Sequence, residues 1–191
     1  MADRVGILGF QGCIEPHEKM LRVLGAHPVR VRTKEDLNSV ERLILPGGES
    51  TTMLRFLKLY DLIPAIQEFA RTKPVWGICA GAILVAKTVS NPTQQSLNLI
   101  NIAAHRNFYG SQLDSFTVPL SIAGLTNPIE AQFIRAPLLT RLPPSEGIES
   151  AQVLATLEDQ PVFFAHGKTW ACSFHVELGN DPSLHELFLK L

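Results

Sequence analysis

The segment Val75–Gly81, with the sequence VWGICAG, places a cysteine between a short apolar run and small residues that suit the start of a helix. Glycines stand two positions before and two positions after Cys79. This G-x-C-x-G pattern permits a sharp turn from a buried strand into a helix, whose N-terminal partial charge favours the nucleophilic thiolate. We therefore interpret Cys79 as a candidate nucleophile. The alternative is a small buried hydrophobic residue, as free cysteines often are.

Short apolar runs alternate with helix-like segments throughout the first half of the chain. Strands are predicted at Val5–Phe10, Val29–Arg32, Arg42–Leu45 and Pro74–Ile78, and helices at Glu15–Leu24, Ser50–Leu59, Leu62–Arg71 and Ala80–Thr88. Alternating strands and helices form βαβ units, and the strands of a parallel sheet covered on both faces are continuously apolar, as these are.

The second half contains shorter predicted strands, at Ser115–Leu120, Ile129–Ile134, Ala151–Leu157, Pro161–His166 and Thr169–Phe174. They indicate antiparallel hairpins, with Gly167-Lys168 as a tight turn. A last helix is predicted at Leu184–Leu189, with Asp181 as its N-cap. The expected fold class is α/β, with a mostly parallel central sheet flanked by helices and extended by antiparallel strands. Residues 1–191 are expected to form a single domain.

Composition excludes several classes of function. The 17 Lys and Arg residues balance 18 Asp and Glu residues and are scattered, so no nucleic-acid partner is expected. No apolar stretch approaches the roughly 20 residues of a membrane span, and the start does not resemble a signal peptide. Three cysteines without a C-x-x-C pair argue against a disulfide framework or a cysteine zinc site and favour a reducing cytoplasm.

A histidine and a glutamate follow the last predicted strand. Alternate residues of an extended chain share a face, so His175 and Glu177 are expected to project together. A histidine polarised by a carboxylate is the base that a cysteine nucleophile needs. The alternative is a surface pair beside a turn. The pair is superficially similar to the H-x-E of zinc deaminases, but the P-C-x-x-C element is missing, so no catalytic metal is expected.

The segment Leu45–Thr52, with the sequence LPGGESTT, places paired glycines between a strand end and a helix start. It lacks the spacing and the lysine of a P-loop. Paired glycines let backbone N–H groups converge on a developing oxyanion, although an ordinary glycine turn and helix cap is the alternative.

The remaining cysteines and histidines match no catalytic pattern. Cys13 and Cys172 lack an elbow and are expected to be packing residues. Five histidines are expected to be surface or capping residues: His17, His27, His105, His166 and His185.

The chain contains further motifs: GILGFQG at Gly6–Gly12, FIRAP at Phe133–Pro137, and Arg106-Asn107 followed by Gly110 and Gln112–Phe116. Together with LPGGESTT and GICAG, they closely resemble the motifs of the PdxT/SNO family. These proteins are class I glutamine amidotransferases and form the glutaminase subunit of pyridoxal 5′-phosphate synthase. The resemblance runs nearly from end to end.

The resemblance implies a hydrolase that converts L-glutamine to L-glutamate and ammonia through a glutamyl thioester, without a cofactor. Cys79 would be the nucleophile, His175 the general base and then acid, and Glu177 the residue that orients His175. Backbone N–H groups near Gly48 and Ala80 are expected to hold the oxyanion. The residues expected to contact glutamine are Gly47, Gly48, Glu49, Arg106, Ile134 and Arg135.

The resemblance also implies a partner. The ammonia would pass to a separate synthase subunit of the PdxS/SNZ type, which would activate the glutaminase within a large hetero-oligomer. Three positions depart from the family pattern. Val176 replaces the proline of H-P-E, Ser111 the arginine of G-R-Q, and His105 a commonly charged neighbour of Arg106. Ser111 and His105 are expected to affect substrate affinity or partner docking more than the chemistry of the reaction.

Two other functions remain open at this point. A cysteine hydrolase of the DJ-1/PfpI type also carries a thiol on an elbow and would act on peptides or esters. A catalytically silent homologue would only bind and regulate a partner, but such proteins usually lack the Cys, His or Glu, and all three are present here.

Overall fold

The computed structural model describes residues 3–106, 115–144 and 149–191. The strands are β1 Arg4–Leu8, β2 His27–Val31, β3 Arg42–Leu45, β4 Val75–Ile78, β5 Ala86–Ser90, β6 Ile100–His105, β7 Phe116–Leu120, β8 Ile129–Phe133, β9 Leu138–Arg141, β10 Gln152–Leu157, β11 Gln160–His166 and β12 Thr169–Cys172. The helices are α1 Ile14–Val23, α2 Lys34–Asn38, α3 Ser50–Leu59, α4 Ile63–Phe69, α5 Ala80–Val85 and α6 Ser183–Leu189.

A seven-stranded sheet with the order β10-β11-β12-β4-β3-β1-β2 forms the centre of the fold. The five strands from β12 to β2 run parallel, and β10 and β11 extend the sheet through antiparallel pairing. Two smaller sheets, β5-β6-β9 and β7-β8, complete the described part. The expected α/β class, with a mostly parallel sheet and added antiparallel strands, is confirmed.

The central parallel strands form where the sequence is mostly apolar. All four residues of β4 and all four of β12 are buried, because helices or other segments cover both faces of the sheet. The buried side chains form two clusters, one of which includes Leu43 and Leu57 and the other Trp76 and Phe163. None of the helices in the described ranges is long and apolar enough to cross a membrane.

Some sequence predictions are wrong. The helix predicted at Ala80–Thr88 ends at Val85, because the next residues enter β5 and pair in parallel with β6. The elements α2, β6 and β9 are not predicted from the sequence. The N-cap of α6 is Pro182 rather than Asp181, although the Asp181 carboxylate accepts a hydrogen bond from the Ser183 N–H at 2.9 Å.

The strand order determines where a site can form. Because β12, β4, β3 and β1 are parallel neighbours, the segments that follow their carboxyl ends meet at one edge of the sheet. Crevices at this edge are the usual binding positions in open α/β folds.

Candidate active site

Cys79 occupies the corner between β4 and α5. Its backbone has a φ of 49° and a ψ of −101°, a left-handed conformation that side chains rarely adopt. The Cys79 N–H donates to the Cys172 carbonyl of the neighbouring strand at 2.8 Å, which holds the corner against the sheet. A Cβ atom at Gly81 would overlap the Leu45 carbonyl oxygen, so only glycine permits this close approach. The predicted elbow is therefore present.

His175 and Glu177 lie just beyond β12. The His175 backbone exchanges two hydrogen bonds with Gln132 of β8, at 2.8 and 3.0 Å, which fixes its position. The His175 Nδ1 is hydrogen bonded to Glu177 Oε1 at 2.6 Å. The side chains are 6% and 0% exposed, so the alternative of a surface pair is wrong.

The valine between these two residues has a role that a proline could not fill. The Val176 backbone N–H donates to the second carboxylate oxygen of Glu177 at 3.0 Å. Proline has no N–H group, so the H-P-E version of this segment would lack the bond. Here both oxygens of Glu177 have fixed partners.

The surroundings of the pair stabilise its ionised form. Burial alone would lower the pKa of His175, but hydrogen bonds with Cys13, Cys79 and Glu177 and the charge of Glu177 raise it well above its ordinary value. Burial alone would raise the pKa of Glu177, but the imidazoles of His17 and His175 lower it. The thiol of Cys79 therefore shares a pocket with an imidazole that favours its protonated state.

The paired glycines after β3 pack directly against the histidine. A Cβ atom at Gly47 would overlap the Cε1 atom of His175, so the ring sits against the bare backbone. Gly48 has a φ of 152° and lies with Ala80 on the wall of the same pocket. Within the described residues, the N–H groups of Gly48 and Ala80 are not used in loop or turn hydrogen bonds to other backbone groups, so both can donate to a ligand oxygen.

Three charged side chains surround the entrance to a pocket of about 260 Å³. Glu49 and Arg135 form an exposed ion pair at 3.4 Å, and Arg106 donates to the Thr51 hydroxyl at 3.2 Å. The structure thus gathers the predicted binding residues Gly48, Glu49, Ala80, Arg106, Ile134 and Arg135 around Cys79 and His175. Gly47 and Glu177 lie behind the His175 ring.

The pocket also contains residues that sequence patterns did not indicate: Cys13, Ser50, Ile83, Pro137 and Leu178. The expectation that Cys13 is a packing residue is wrong, because Cys13 lines the pocket and its sulfur lies within 4.8 Å of a ring nitrogen of His175. Cys13 follows β1, the parallel neighbour of β3, and this strand order brings it to the same edge of the sheet as Gly47 and Cys79. Cys172, by contrast, is fully buried and accepts a hydrogen bond from Trp76.

Two histidines expected to be surface or capping residues form a buried pair instead. His17 and His185 have no exposed surface, and the His17 Nδ1 is hydrogen bonded to the His185 Nε2 at 2.8 Å. The His17 Nε2 lies 3.8 Å from Glu177 Oε2, so the pair stands behind the carboxylate.

His105, which departs from the family pattern, is hydrogen bonded to Ser90 and Thr140. The other residues of this motif, Asn107, Gly110, Ser111 and Gln112–Asp114, lie outside the described residues.

The sequence of this chain is similar to those of known proteins along nearly its whole length. Residues 7–191 match the family model described as the SNO glutamine amidotransferase family. The chain belongs to this family. It is 45% identical to the "Pyridoxal 5'-phosphate synthase subunit PdxT" of Solibacter usitatus over 193 residues, with 98% of each chain covered. It is 42% identical to the protein of the same name from Kosmotoga olearia, with 98% of this chain and 96% of that protein covered.

One solved structure supports the same family, and a second shares its fold. A structure titled "Crystal structure of glutamine amidotransferase" is 39% identical to this chain, covers 97% of each chain and superposes with a TM-score of 0.89. A structure titled "Structure of PurLQS from Thermotoga maritima" is 16% identical, with a TM-score of 0.69 and coverage of 100% of this chain and 99% of the other. The latter shows only that the fold is shared.

Proposed function

We propose that this chain hydrolyses L-glutamine to L-glutamate and ammonia, and supplies the ammonia to a separate subunit that makes pyridoxal 5′-phosphate. The observation that carries the proposal is the 2.6 Å contact between His175 and Glu177, with the Cys79 thiol beside the same imidazole. The names of the curated relatives support the choice of final product.

The charges at the pocket suit glutamine. Its α-carboxylate would pair with Arg106 or Arg135, because a guanidinium matches a carboxylate as a planar fork. Its α-ammonium group would pair with Glu49. The Glu49 carboxylate would then share its charge between Arg135 and the substrate. Gly48 and Ile134 would form the wall along which the side chain reaches Cys79, and Gly47 would support the His175 ring.

The reaction begins with attack of the Cys79 sulfur on the side-chain amide carbon. The N–H groups of Gly48 and Ala80 would stabilise the oxyanion of the tetrahedral intermediate. Protonated His175 would then give its proton to the leaving ammonia, which forms the glutamyl thioester. Neutral His175 would next take a proton from water, whose oxygen attacks the thioester and releases glutamate.

Glu177 would act by holding the ring of His175. Its two oxygens accept hydrogen bonds from His175 and from the Val176 backbone, so the orientation of the imidazole is fixed. None of these steps requires a cofactor. The whole chain would act as one glutaminase domain.

The ammonia must reach a second polypeptide. We place the chain in a large hetero-oligomer with a synthase subunit of the PdxS/SNZ type, which would also activate glutamine hydrolysis. The reducing cytoplasm is the proposed location, since Cys13, Cys79 and Cys172 are all free thiols.

The test measures glutamate release from L-glutamine with and without a pyridoxal phosphate synthase subunit. We expect release to appear or to rise strongly with the partner, and Cys79→Ala to abolish it. Cys172→Ala is the matched control, because its thiol bonds Trp76 and does not line the pocket. Full activity of Cys79→Ala, or no glutamate release by the wild-type complex, would contradict the proposal.

A further inference from the structure

Cys13 places a second thiol beside the proposed catalytic histidine. Its sulfur, one ring nitrogen of His175 and one carboxylate oxygen of Glu177 all lie within 4.8 Å of one another. The proposed hydrolysis uses the histidine and the carboxylate but has no step for the Cys13 thiol. The three groups together therefore call for a separate explanation.

The three groups have the chemistry that binds a zinc ion. Thiolate sulfur, imidazole nitrogen and carboxylate oxygen are the protein ligands of Zn²⁺, at bond lengths of about 2.0 to 2.3 Å. A tetrahedral ion with such bonds separates its ligands by roughly 3.3 to 3.8 Å. Ligand atoms already within 4.8 Å of one another need shifts of only about 1 Å to close on the ion.

The backbone holds all three ligands in place. The Cys13 N–H donates to the Gly47 carbonyl at 3.0 Å, directly before α1 begins. His175 is fixed by its two backbone bonds to Gln132, and Glu177 by the Val176 N–H. Such support means that an ion would find its ligands nearly arranged.

The site is also accessible. Cys13 and His175 both line the open pocket that contains Cys79, whereas Glu177 lies behind them. An ion bound by the three side chains would keep its fourth position toward this pocket, for water or for the Cys79 sulfur.

We propose that Cys13, His175 and Glu177 form a Zn²⁺ site whose occupancy reversibly blocks the active centre. Binding transfers the thiol proton of Cys13 and a proton of the imidazole to solvent, and forms bonds from the metal to sulfur, nitrogen and oxygen. The imidazole can then neither protonate ammonia nor activate water. The metal site stands on geometry alone, and its inhibitory effect rests on the proposed glutaminase function.

The first experiment measures metal binding without relying on activity. Zn²⁺ is titrated by calorimetry into the full-length Cys79→Ala chain, which removes the nucleophile as a competing ligand. We expect one ion per chain, with binding at least tenfold weaker when Cys13→Ala is added. Adding Cys172→Ala instead is the matched control and should leave the affinity unchanged. Co²⁺ should give a thiolate charge-transfer band that depends on Cys13, and Mg²⁺ should not bind.

Equal Zn²⁺ affinity with and without Cys13 would overturn the site. Circular dichroism verifies the fold of each variant, and Cys13→Ser replaces Cys13→Ala if the latter does not fold. In the second experiment, Zn²⁺ is added to the complex with the synthase subunit and then removed with EDTA, while glutamate release is followed. Each variant is normalised to its own metal-free rate. Cys13→Ala should need at least tenfold more Zn²⁺ for half inhibition.

The two experiments separate the two proposals. If zinc binds through Cys13 but the metal-free wild-type complex releases no glutamate, the glutaminase function is wrong and the metal site stands. If glutamate is released but removal of Cys13 changes neither binding nor inhibition, the metal site is wrong and the function stands.

Discussion

At the scale of single residues, Gly47 determines where the His175 ring can lie. A methyl group at this position would overlap the ring, so Gly47→Ala must displace the imidazole from Cys79 and Glu177. Displacements of about 1 Å in an active site can cost roughly a hundredfold in rate. We expect Gly47→Ala to lower the kcat of glutamate release by about that factor while the chain stays folded.

Gly167→Ala is the matched control for this substitution. Gly167 lies in the turn between β11 and β12, with a φ of 55° and no atom near the position of an added Cβ. This variant should lose some stability through backbone strain but keep the wild-type rate. A Gly47→Ala enzyme with normal kcat would show that the ring position does not limit the reaction.

Arg106 should affect the binding of glutamine rather than its chemistry. The guanidinium lines the pocket but lies on the charged rim, away from the buried His175–Glu177 pair. We expect Arg106→Ala to raise KM at least tenfold with little change in kcat, because the lost contact to a substrate carboxylate is the same in ground and transition states. Steady-state kinetics with the synthase subunit provide the measurement.

Arg55→Ala is the comparison for Arg106→Ala, since Arg55 is an exposed arginine on α3 that does not line this pocket. It should have normal kinetics. A fall in kcat at constant KM for Arg106→Ala would instead give Arg106 a part in the transition state.

At the scale of elements, the short helix α2 depends on its cap. The Thr33 hydroxyl accepts a hydrogen bond from the Asp36 N–H at 3.1 Å, and the Asp36 carboxylate accepts from the Thr33 N–H at 3.0 Å. Loss of a threonine N-cap typically costs about 1 kcal/mol. Thr33→Ala should lower the free energy of unfolding by this amount in urea denaturation, without changing glutaminase activity.

Thr33→Ser keeps the hydroxyl and should retain most of the stability. If Thr33→Ala and Thr33→Ser are equally stable, the reciprocal cap does not stabilise α2. Activity is unaffected in either case, because no residue of α2 lines the pocket.

The same scale shows how far sequence patterns reach. Runs such as Val75–Ile78 predict strands well, because burial on both faces demands apolar residues at every position. Ala86–Thr88, the start of β5, is mistaken for the end of a helix, since the buried residues Ala86 and Val89 of this strand are also compatible with helical spacing. The strand forms because β6 pairs with it, and that pairing is not a property of the local sequence.

In the candidate active site, too, local sequence patterns do not reveal contacts made by tertiary packing. Motifs locate Cys79, His175 and Glu177 because local turns and spacing carry their chemistry. Cys13 has no such local signal, and its place beside His175 follows from the order of parallel strands in the sheet. The contact between His17 and His185 joins residues at opposite ends of the chain, so neither sequence neighbourhood indicates burial.

At the scale of the whole molecule, the buried histidines should control stability in acid. Burial lowers the pKa of His185 from 6.5 to about 3, and also lowers that of His17. Below pH 6.5 the unfolded chain therefore binds protons that the folded chain excludes, and stability falls as the pH drops toward 3. His175 adds little slope below pH 6, because its raised pKa leaves it protonated in both states.

The measurement is urea denaturation of the wild type and of His185→Asn between pH 6 and 4.5. One excluded proton gives a slope of up to about 1.4 kcal/mol per pH unit. The wild type should lose stability more steeply than His185→Asn by about this amount. Parallel pH profiles would mean that His185 is protonated in the folded chain.

The position of β12 in the sheet has a consequence for protein synthesis. This strand lies between β4 and β11, and the segment after it places His175 and Glu177 near Cys79. Cys79 is synthesised well before these two residues. A ribosome therefore exposes the elbow of Cys79 while the histidine and carboxylate are still being made or are enclosed in the exit tunnel. A nascent chain therefore cannot assemble the candidate site until β12 has been synthesised and has paired with β4.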